Sequence, residues 1–106
     1  YRFEYNATYD CGCLDRHGSF KLDPMANTSC QQKNGNAYPT IGSTYSFDRG
    51  HMVPANHLDG DATAIEQSNY MTNIMPQMAQ MNRGAWLQTE EIIECFRDIE
   101  PLHVQY

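Results

Sequence analysis

The sequence contains no long hydrophobic run, and this shortage excludes one class of protein. Its uninterrupted apolar stretches are only a few residues long, whereas a helix that crosses a bilayer needs about 20 apolar residues. A membrane-spanning helix is therefore excluded, and no membrane partner is expected. The chain of 106 residues is also too short for two domains, so we expect one modest hydrophobic core.

Basic side chains are scarce as well. The 7 Lys and Arg residues are outnumbered by 13 Asp and Glu, for a formal net charge of −6. Such a balance ordinarily argues against a partner made of phosphate. The distribution is uneven, because residues 1–47 are balanced and the whole excess lies in residues 48–106. A carboxylate cluster between Glu90 and Glu100 contributes much of it, and such a run is typical of the solvated face of a helix.

Cysteine, in contrast, is present in an even number, which in a short chain is typical of a disulfide framework. Cys11 and Cys13 are too close in sequence to pair comfortably with each other. Two internal patterns remain open: Cys11–Cys30 with Cys13–Cys95, or Cys11–Cys95 with Cys13–Cys30. The alternative is a zinc site of unusual spacing that uses Cys11, Cys13, His17 and Cys30.

Two glycosylation acceptor sequences favour the same compartment as the cysteines. They begin at Asn6 and Asn27 and lie in polar, turn-rich stretches, where a glycan could project into solvent. Disulfides persist in oxidising compartments. The combination predicts a secreted, extracellular protein.

Patterning along the chain predicts three parts. Residues 1–44 combine a short alternating strand with a loop-rich, disulfide-bearing stretch. Residues 45–97 hold most of the regular structure, and residues 98–106 contain the start of a further strand. Because that last alternation is unfinished, we expect the chain to be an incomplete part of a larger domain, completed by a second chain or segment.

Within residues 45–97, four elements are predicted in detail. Asp61 is a candidate N-cap for a short helix. Pro76 should interrupt the extended piece before it, because proline removes a backbone donor. The elements are a strand over 44–47 that leads into the tetrad described next, a helix over 62–70, an extended piece over 71–75, and a helix over 83–97.

The tetrad Asp48-Arg49-Gly50-His51 combines groups that suit phosphodiester chemistry. The glycine permits close approach of a ligand, and the arginine supplies a fork of donors for phosphate. The carboxylate can orient its neighbours. A lone histidine in a small domain is more often structural than catalytic, so the tetrad alone is moderate evidence.

Asn82 lies just before the predicted long helix, where it could serve as an N-cap or ligate a hard cation through its carboxamide oxygen. Glu90, eight residues later, falls about 80° round the helix from Asn82 and so stays on the same side. Glu91 falls about 180° away. The spacing therefore selects Glu90 as the partner of Asn82, most easily through metal-bound water.

These residues together resemble the DNA/RNA non-specific endonuclease family of ββα-metal nucleases. The resemblance covers roughly residues 45–95. It implies an α+β fold with a ββα-metal (His-Me finger) core and a small antiparallel sheet. The matching motifs are the tetrad, Asn73 in Asn-Ile-Met-Pro-Gln, the box Asn82-Arg83-Gly84-Ala85-Trp86, and Glu90.

The resemblance also implies a mechanism. His51 would be the general base that activates water, a task that suits a neutral imidazole. Asn82 would be the direct protein ligand of one Mg²⁺, with Mn²⁺ able to substitute, and Glu90 would hold metal-bound waters. Arg49 and Asn73 would position the scissile phosphate. The products of DNA and RNA cleavage would carry 5′-phosphate and 3′-hydroxyl ends.

Two further arginines are candidate substrate contacts, and one family feature is missing. Relatives usually carry a basic residue one helical turn after the glutamate, where this chain has Glu94. Arg97 could take its place, and Arg83 lies beside the expected metal ligand. We expect Asp48 to be structural. The alternatives are a catalytically silent binding module with the same fold and a delivered nuclease toxin with an immunity partner; the oligomeric state is not predicted.

Overall fold

The computed structural model describes residues 2–5, 14, 19–33, 37–42, 44–97 and 99–105, and the structural statements below refer to these residues. They form a mixed α/β arrangement with small antiparallel sheets, which confirms the predicted fold class at that level. Short 3-10 turns occur at Thr28–Cys30, Ala55–Leu58 and Met71–Asn73. The strands and helices are β1 (Arg2–Tyr5), β2 (Thr40–Ile41), β3 (Tyr45–His51), α1 (Ala62–Ser68), β4 (Ile74–Met78), α2 (Ala79–Met81), α3 (Leu87–Arg97) and β5 (Leu102–Gln105).

The tetrad ends the central strand of a three-stranded antiparallel sheet with the order β2-β3-β4. In the register of β3 and β4, Asp48 lies opposite Gln77 and Gly50 lies opposite Met75. The buried Gln77 side chain covers Gly50, since a Cβ added there would lie 2.2 Å from Gln77 atoms. Glycine is therefore required in the tetrad by packing within the sheet.

Pro76 lies inside β4, so the prediction that it interrupts the extended segment was wrong. It pairs with Arg49 of β3 in the middle of the strand. Because β4 is an edge strand, a residue without an N–H can be accommodated there with its nitrogen turned away from the ladder.

The two ends of the chain form a second sheet. β1 pairs with β5 in an antiparallel register that joins Arg2 to Gln105. Both strands were predicted from their alternation. β1 occupies one edge of β5, and the second chain or segment expected from the sequence stays a prediction.

The helices follow the predicted pattern with one change. Asp61 caps α1 as predicted, and its carboxylate accepts bonds from the N–H groups of Thr63 and Ala64. The second helix begins at Ala79 rather than at Arg83, and a π-helical turn over Asn82–Trp86 joins α2 to α3. We call α2, this π turn and α3 the composite helix. Asn82 consequently lies within the helix and is not its N-cap.

The core lies beyond the end of β3. Val53 and Leu58 form its buried centre. One residue of α1, one of α3 and two of β5 pack against this pair: Ala64, Ile93, Leu102 and Val104. The core therefore fixes the composite helix and the terminal sheet relative to the segment that follows His51.

The predictions about cysteine and glycosylation are not confirmed. Cys30 and Cys95, which both predicted pairings require, are exposed free thiols at separate positions. The remaining residues of those predictions, Cys11, Cys13, His17 and Asn6, lie outside the described residues. Asn27 is exposed and caps a 3-10 turn by accepting a bond from the Ser29 N–H. In the described part of the chain, no helix has the length and apolar character that crossing a membrane requires.

Candidate active site

Strand alternation divides the tetrad between two faces of β3. Successive side chains of a strand point to opposite sides, so Asp48 and Gly50 share one face, and Arg49 and His51 share the other. Asn82 of the composite helix contacts Asp48 on the first face. Phe20 packs near both residues of the second face.

Asp48 lies at the centre of a polar cluster on the helix side. Its Oδ2 accepts a bond from Asn82 Nδ2 at 3.0 Å and another from Arg83 Nε at 2.8 Å. Its Oδ1 accepts from Arg83 Nη2 at 2.7 Å. The two bonds from Arg83 hold the pKa of the Asp48 carboxyl below its usual 3.8, aided by the bond from Asn82 and opposed by partial burial. Asp48 is therefore a carboxylate at neutral pH.

The side-chain oxygen of Asn82, Oδ1, points away from this cluster. Its Nδ2 is held by Asp48, and its Oδ1 has no hydrogen-bond partner among the described residues. The described part of the chain holds no group of three or more His, Cys, Asp or Glu side chains suited to a metal ion. A cation at Asn82 would take most of its ligands from water or substrate, which suits Mg²⁺.

His51 is oriented by a residue that the sequence analysis missed. The imidazole is 6% exposed, and its Nε2 lies 3.1 Å from Oδ1 of the buried Asn69. Asn69 Nδ2 donates to the Ile65 carbonyl at 3.4 Å, so its oxygen faces His51. Nε2 therefore carries the proton, and the basic lone pair lies on Nδ1. No local pattern identifies Asn69, because it follows α1 and meets His51 only in the fold.

The guanidinium of Arg49 packs against two aromatic rings. Its guanidinium carbon lies 5.2 Å from the ring centroids of both Phe20 and Tyr38. Nη2 donates to the Lys33 carbonyl at 2.9 Å, while the buried Nε has no hydrogen-bond partner among the described residues. Because Nε is closed to solvent, a ligand would meet the guanidinium at its terminal nitrogens. The arrangement is suited to a phosphate oxygen.

Phe20 is placed by the loop that precedes the sheet. Lys21 bridges to the chain after α1, with its N–H bonded to the Asn69 carbonyl at 3.1 Å and its carbonyl bonded to the Met71 N–H at 2.9 Å. Thr72 Oγ1 also donates to Asp23 Oδ2 at 2.7 Å. These bonds tie the aromatic residue to the same segment that orients His51.

Asn73 is engaged within the protein. Its Nδ2 donates to the carbonyls of Val53 and Ser68, and its Oδ1 accepts from the Val53 N–H. Its backbone carbonyl accepts from Met52 N–H at 2.9 Å. The bonds to Met52 and Val53 fix the turn immediately after His51, and the bond to Ser68 ties Asn73 to the end of α1. The position of Asn73 therefore supports an indirect role better than the expected contact with the scissile phosphate.

The composite helix contacts the site once in each turn. Asn82 bonds to Asp48, Trp86 Nε1 donates to the His51 carbonyl at 3.2 Å, and the Glu90 carbonyl accepts from His57 Nε2 at 3.0 Å. The Glu90 contact is made by its backbone carbonyl, so the placement of its carboxylate on the same side of the helix as Asn82 stays a prediction. The π turn between them holds more residues than an α-turn and reduces their angular offset further.

The other two arginines are less available to a substrate than expected. Arg97 is fully buried, with Nη2 lying 3.6 Å from Glu94 Oε1. Its burial does not fit the expected substrate contact. Arg83 is exposed but uses Nε and Nη2 on Asp48.

His57 should make stability depend on pH. Burial lowers the pKa of this imidazole below its usual 6.5, and the bond to the Glu90 carbonyl opposes the shift only in part. As pH falls through 6.5, the unfolded chain therefore binds a proton before the folded one, and the free energy of unfolding falls until the folded-state pKa is passed. For this one proton the slope is at most about 1.4 kcal/mol per pH unit.

Urea unfolding at a series of pH values measures this slope. His57→Gln keeps a donor for the Glu90 carbonyl and removes the titrating group, so its slope over the same pH range should be smaller. Equal slopes for the two proteins would show that His57 is not responsible.

Comparison with known proteins gives the family. The sequence profile of the DNA/RNA non-specific endonuclease family matches residues 3–106. A nuclease from Serratia marcescens is 31% identical over 87 residues, which are 82% of this chain and 32% of that protein. The mitochondrial nuclease EXOG of Mus musculus is 36% identical over an alignment of 93 residues that covers 83% of this chain and 24% of that protein. Mitochondrial endonuclease G of Homo sapiens is 33% identical over 45 residues, 42% of this chain and 15% of that protein.

The chain thus spans about a third of the length of the first relative and about a quarter of the second. The family profile, by contrast, covers nearly the whole chain. It includes the tetrad, the composite helix and both terminal strands. The chain therefore belongs to the DNA/RNA non-specific endonuclease family.

Proposed function

We propose that this chain carries the catalytic core of a Mg²⁺-dependent endonuclease that hydrolyses phosphodiester bonds of DNA and RNA. The observation that carries the proposal is the pairing of His51 with Asn69, which fixes a basic imidazole nitrogen on the face that also presents Arg49. In this proposal β3, β4 and the composite helix are the ββα-metal motif.

The base step belongs to His51. With Nε2–H bonded to Asn69, the Nδ1 lone pair accepts the proton of the water that attacks phosphorus. Breaking the bond to the 3′ oxygen, which takes up a proton from solvent water, then leaves a 5′-phosphate and a 3′-hydroxyl. Asn73 assists indirectly, because its bonds hold the turn after His51 in place.

The phosphate is bound by two different parts of the site. The guanidinium of Arg49 donates to a non-bridging oxygen as negative charge accumulates there. Asn82 would hold the metal ion through Oδ1, and Glu90 would hold its waters. The ion supplies charge stabilisation at the phosphate and at the departing oxygen. Because none of these groups reads a base, the proposal includes both nucleic acids as substrates.

The compartment stays a prediction from the sequence. Asn27 is exposed, and its Nδ2, the atom that would carry a glycan, has no hydrogen-bond partner among the described residues. This is compatible with secretion. Two of the relatives named above are, in contrast, mitochondrial.

Metal dependence tests the proposed function directly. Plasmid DNA and a structured RNA should both be degraded in Mg²⁺ or Mn²⁺, and both should be spared in an excess of chelator. Asn82→Ala should lower the metal-dependent rate, because it removes the proposed protein ligand. Degradation that continues unchanged in chelator would contradict the proposal.

A further inference from the structure

We propose that Asp48 is a positioning residue that fixes the carboxamide of Asn82 with its oxygen toward the metal site, and that Arg83 acts on Asp48 and not on the substrate. The inference rests on the proposed function, since it gives a purpose to the orientation of Asn82. It gives the Asp48 carboxylate a specific role, whereas the motif alone predicts only a structural one.

The need for such a residue comes from the symmetry of the amide. The two ends of the Asn82 carboxamide have nearly the same shape, but one is a double donor and the other an acceptor. Only the oxygen can ligate a cation. A rotation by half a turn would present an NH₂ group to the ion, so the energy difference between the two orientations sets how much of the protein can bind metal.

Asp48 supplies that energy difference. An ionised carboxylate only accepts hydrogen bonds, so at 3.0 Å from Asp48 Oδ2 the atom of Asn82 must be the nitrogen. The opposite orientation would bring two acceptor oxygens together. The Asp48 side chain is 19% exposed, so water screens this preference only partly.

Arg83 fixes Asp48 in turn. Its Nε and Nη2 bind both carboxylate oxygens in a bidentate pair, at 2.8 and 2.7 Å. This geometry holds the carboxylate plane and leaves Oδ2 on the side of Asn82. With the bond from Asn82, Asp48 accepts three hydrogen bonds, which favours an orienting role over direct ligation of a cation.

The test is a titration with Mn²⁺ in the absence of nucleic acid, with free Mn²⁺ followed by electron paramagnetic resonance. Asp48→Asn should weaken Mn²⁺ binding by about 10-fold or more. The new amide can donate to Asn82 Oδ1 and so stabilise the wrong orientation. Arg83→Gln removes a charge beside the same cluster but keeps the Asp48–Asn82 bond, so it should change the affinity less than Asp48→Asn.

A second background separates orientation from charge. In Asn82→Asp, both side-chain oxygens are ligands and no orientation is wrong, and the amide of Asp48→Asn can donate to that carboxylate. The double variant should therefore bind Mn²⁺ within about 3-fold of Asn82→Asp alone, because the orienting bond is no longer needed. A loss of about 10-fold in both backgrounds would show that only the charge of Asp48 matters, and would overturn the inference.

A measurement on the unaltered chain covers the case in which Asp48→Asn does not fold. During a Mg²⁺ titration followed by carbon-13 NMR, the Asn82 Cγ signal should shift and the Asp48 Cγ signal should shift less. A larger shift at Asp48 would make it a ligand and overturn the inference. If the unaltered chain bound neither ion, the proposed function itself would fail; normal binding with no effect of Asp48→Asn would refute the orienting role alone.

Discussion

His51→Ala is expected to lower the turnover of both DNA and RNA by about 10²- to 10⁴-fold, the range that a positioned general base contributes. The loss should appear in kcat, since the imidazole acts on the attacking water and not on substrate binding. Mn²⁺ affinity should stay close to that of the unaltered protein, because the proposed ligand is Asn82. Steady-state cleavage of a labelled oligonucleotide duplex and RNA measures the first effect, and a metal titration measures the second.

His103→Ala is the matched control. His103 is an exposed residue of β5, and its removal should leave turnover unchanged. Full activity in His51→Ala would refute the proposed base. Equal losses in both variants would instead indicate a general effect of removing histidine on folding, which a thermal melt would reveal.

Arg49→Ala is expected to lower kcat by about 10²- to 10³-fold, as does the loss of one donor aimed at developing charge. The variant removes the guanidinium donors and also the cation that packs on Phe20 and Tyr38. Arg49→Lys keeps the charge but not the planar fork, so it should recover only part of the loss. The measurement is the single-turnover rate at saturating DNA, which separates this effect from substrate binding.

Arg2→Ala provides the comparison for charge alone. Arg2 is exposed in β1, and its removal changes the net charge by the same amount. If Arg49→Ala and Arg2→Ala reduced the rate equally, Arg49 would contribute only to the general attraction of phosphate. A rate for Arg49→Lys equal to that of the unaltered protein would show that the fork geometry is unimportant.

Features governed by neighbours in sequence were predictable. Asp61 caps α1 because the N-cap bond reaches only two or three residues ahead. The strand that leads into the tetrad was visible for the same reason. The order of these motifs was sufficient to indicate the family.

Features that depend on distant contacts were not predictable. Asn69 orients His51 and Phe20 packs beside it only because the loop containing Lys21 bridges to the chain after α1. The charge of Arg97 suggested a contact with phosphate, but the fold buries it. The sheet accommodates Pro76 because β4 is an edge strand. No local sequence pattern predicts that position in the sheet.

The π turn explains how one helix can satisfy two separate docking requirements. At the first residue of this turn, the bond between Asn82 and Asp48 fixes the rotation of the helix about its axis. Downstream, the rotation of the helix is fixed by the packing of Ile93 on the core and by the bond from His57 to the Glu90 carbonyl. A regular α-helix has one fixed rotation per residue, so it could not satisfy both contacts equally well. The wider π turn changes the rotation of the helix between these two contacts. Substitutions that alter core packing at Ile93 can therefore leave the orientation of Asn82 unchanged.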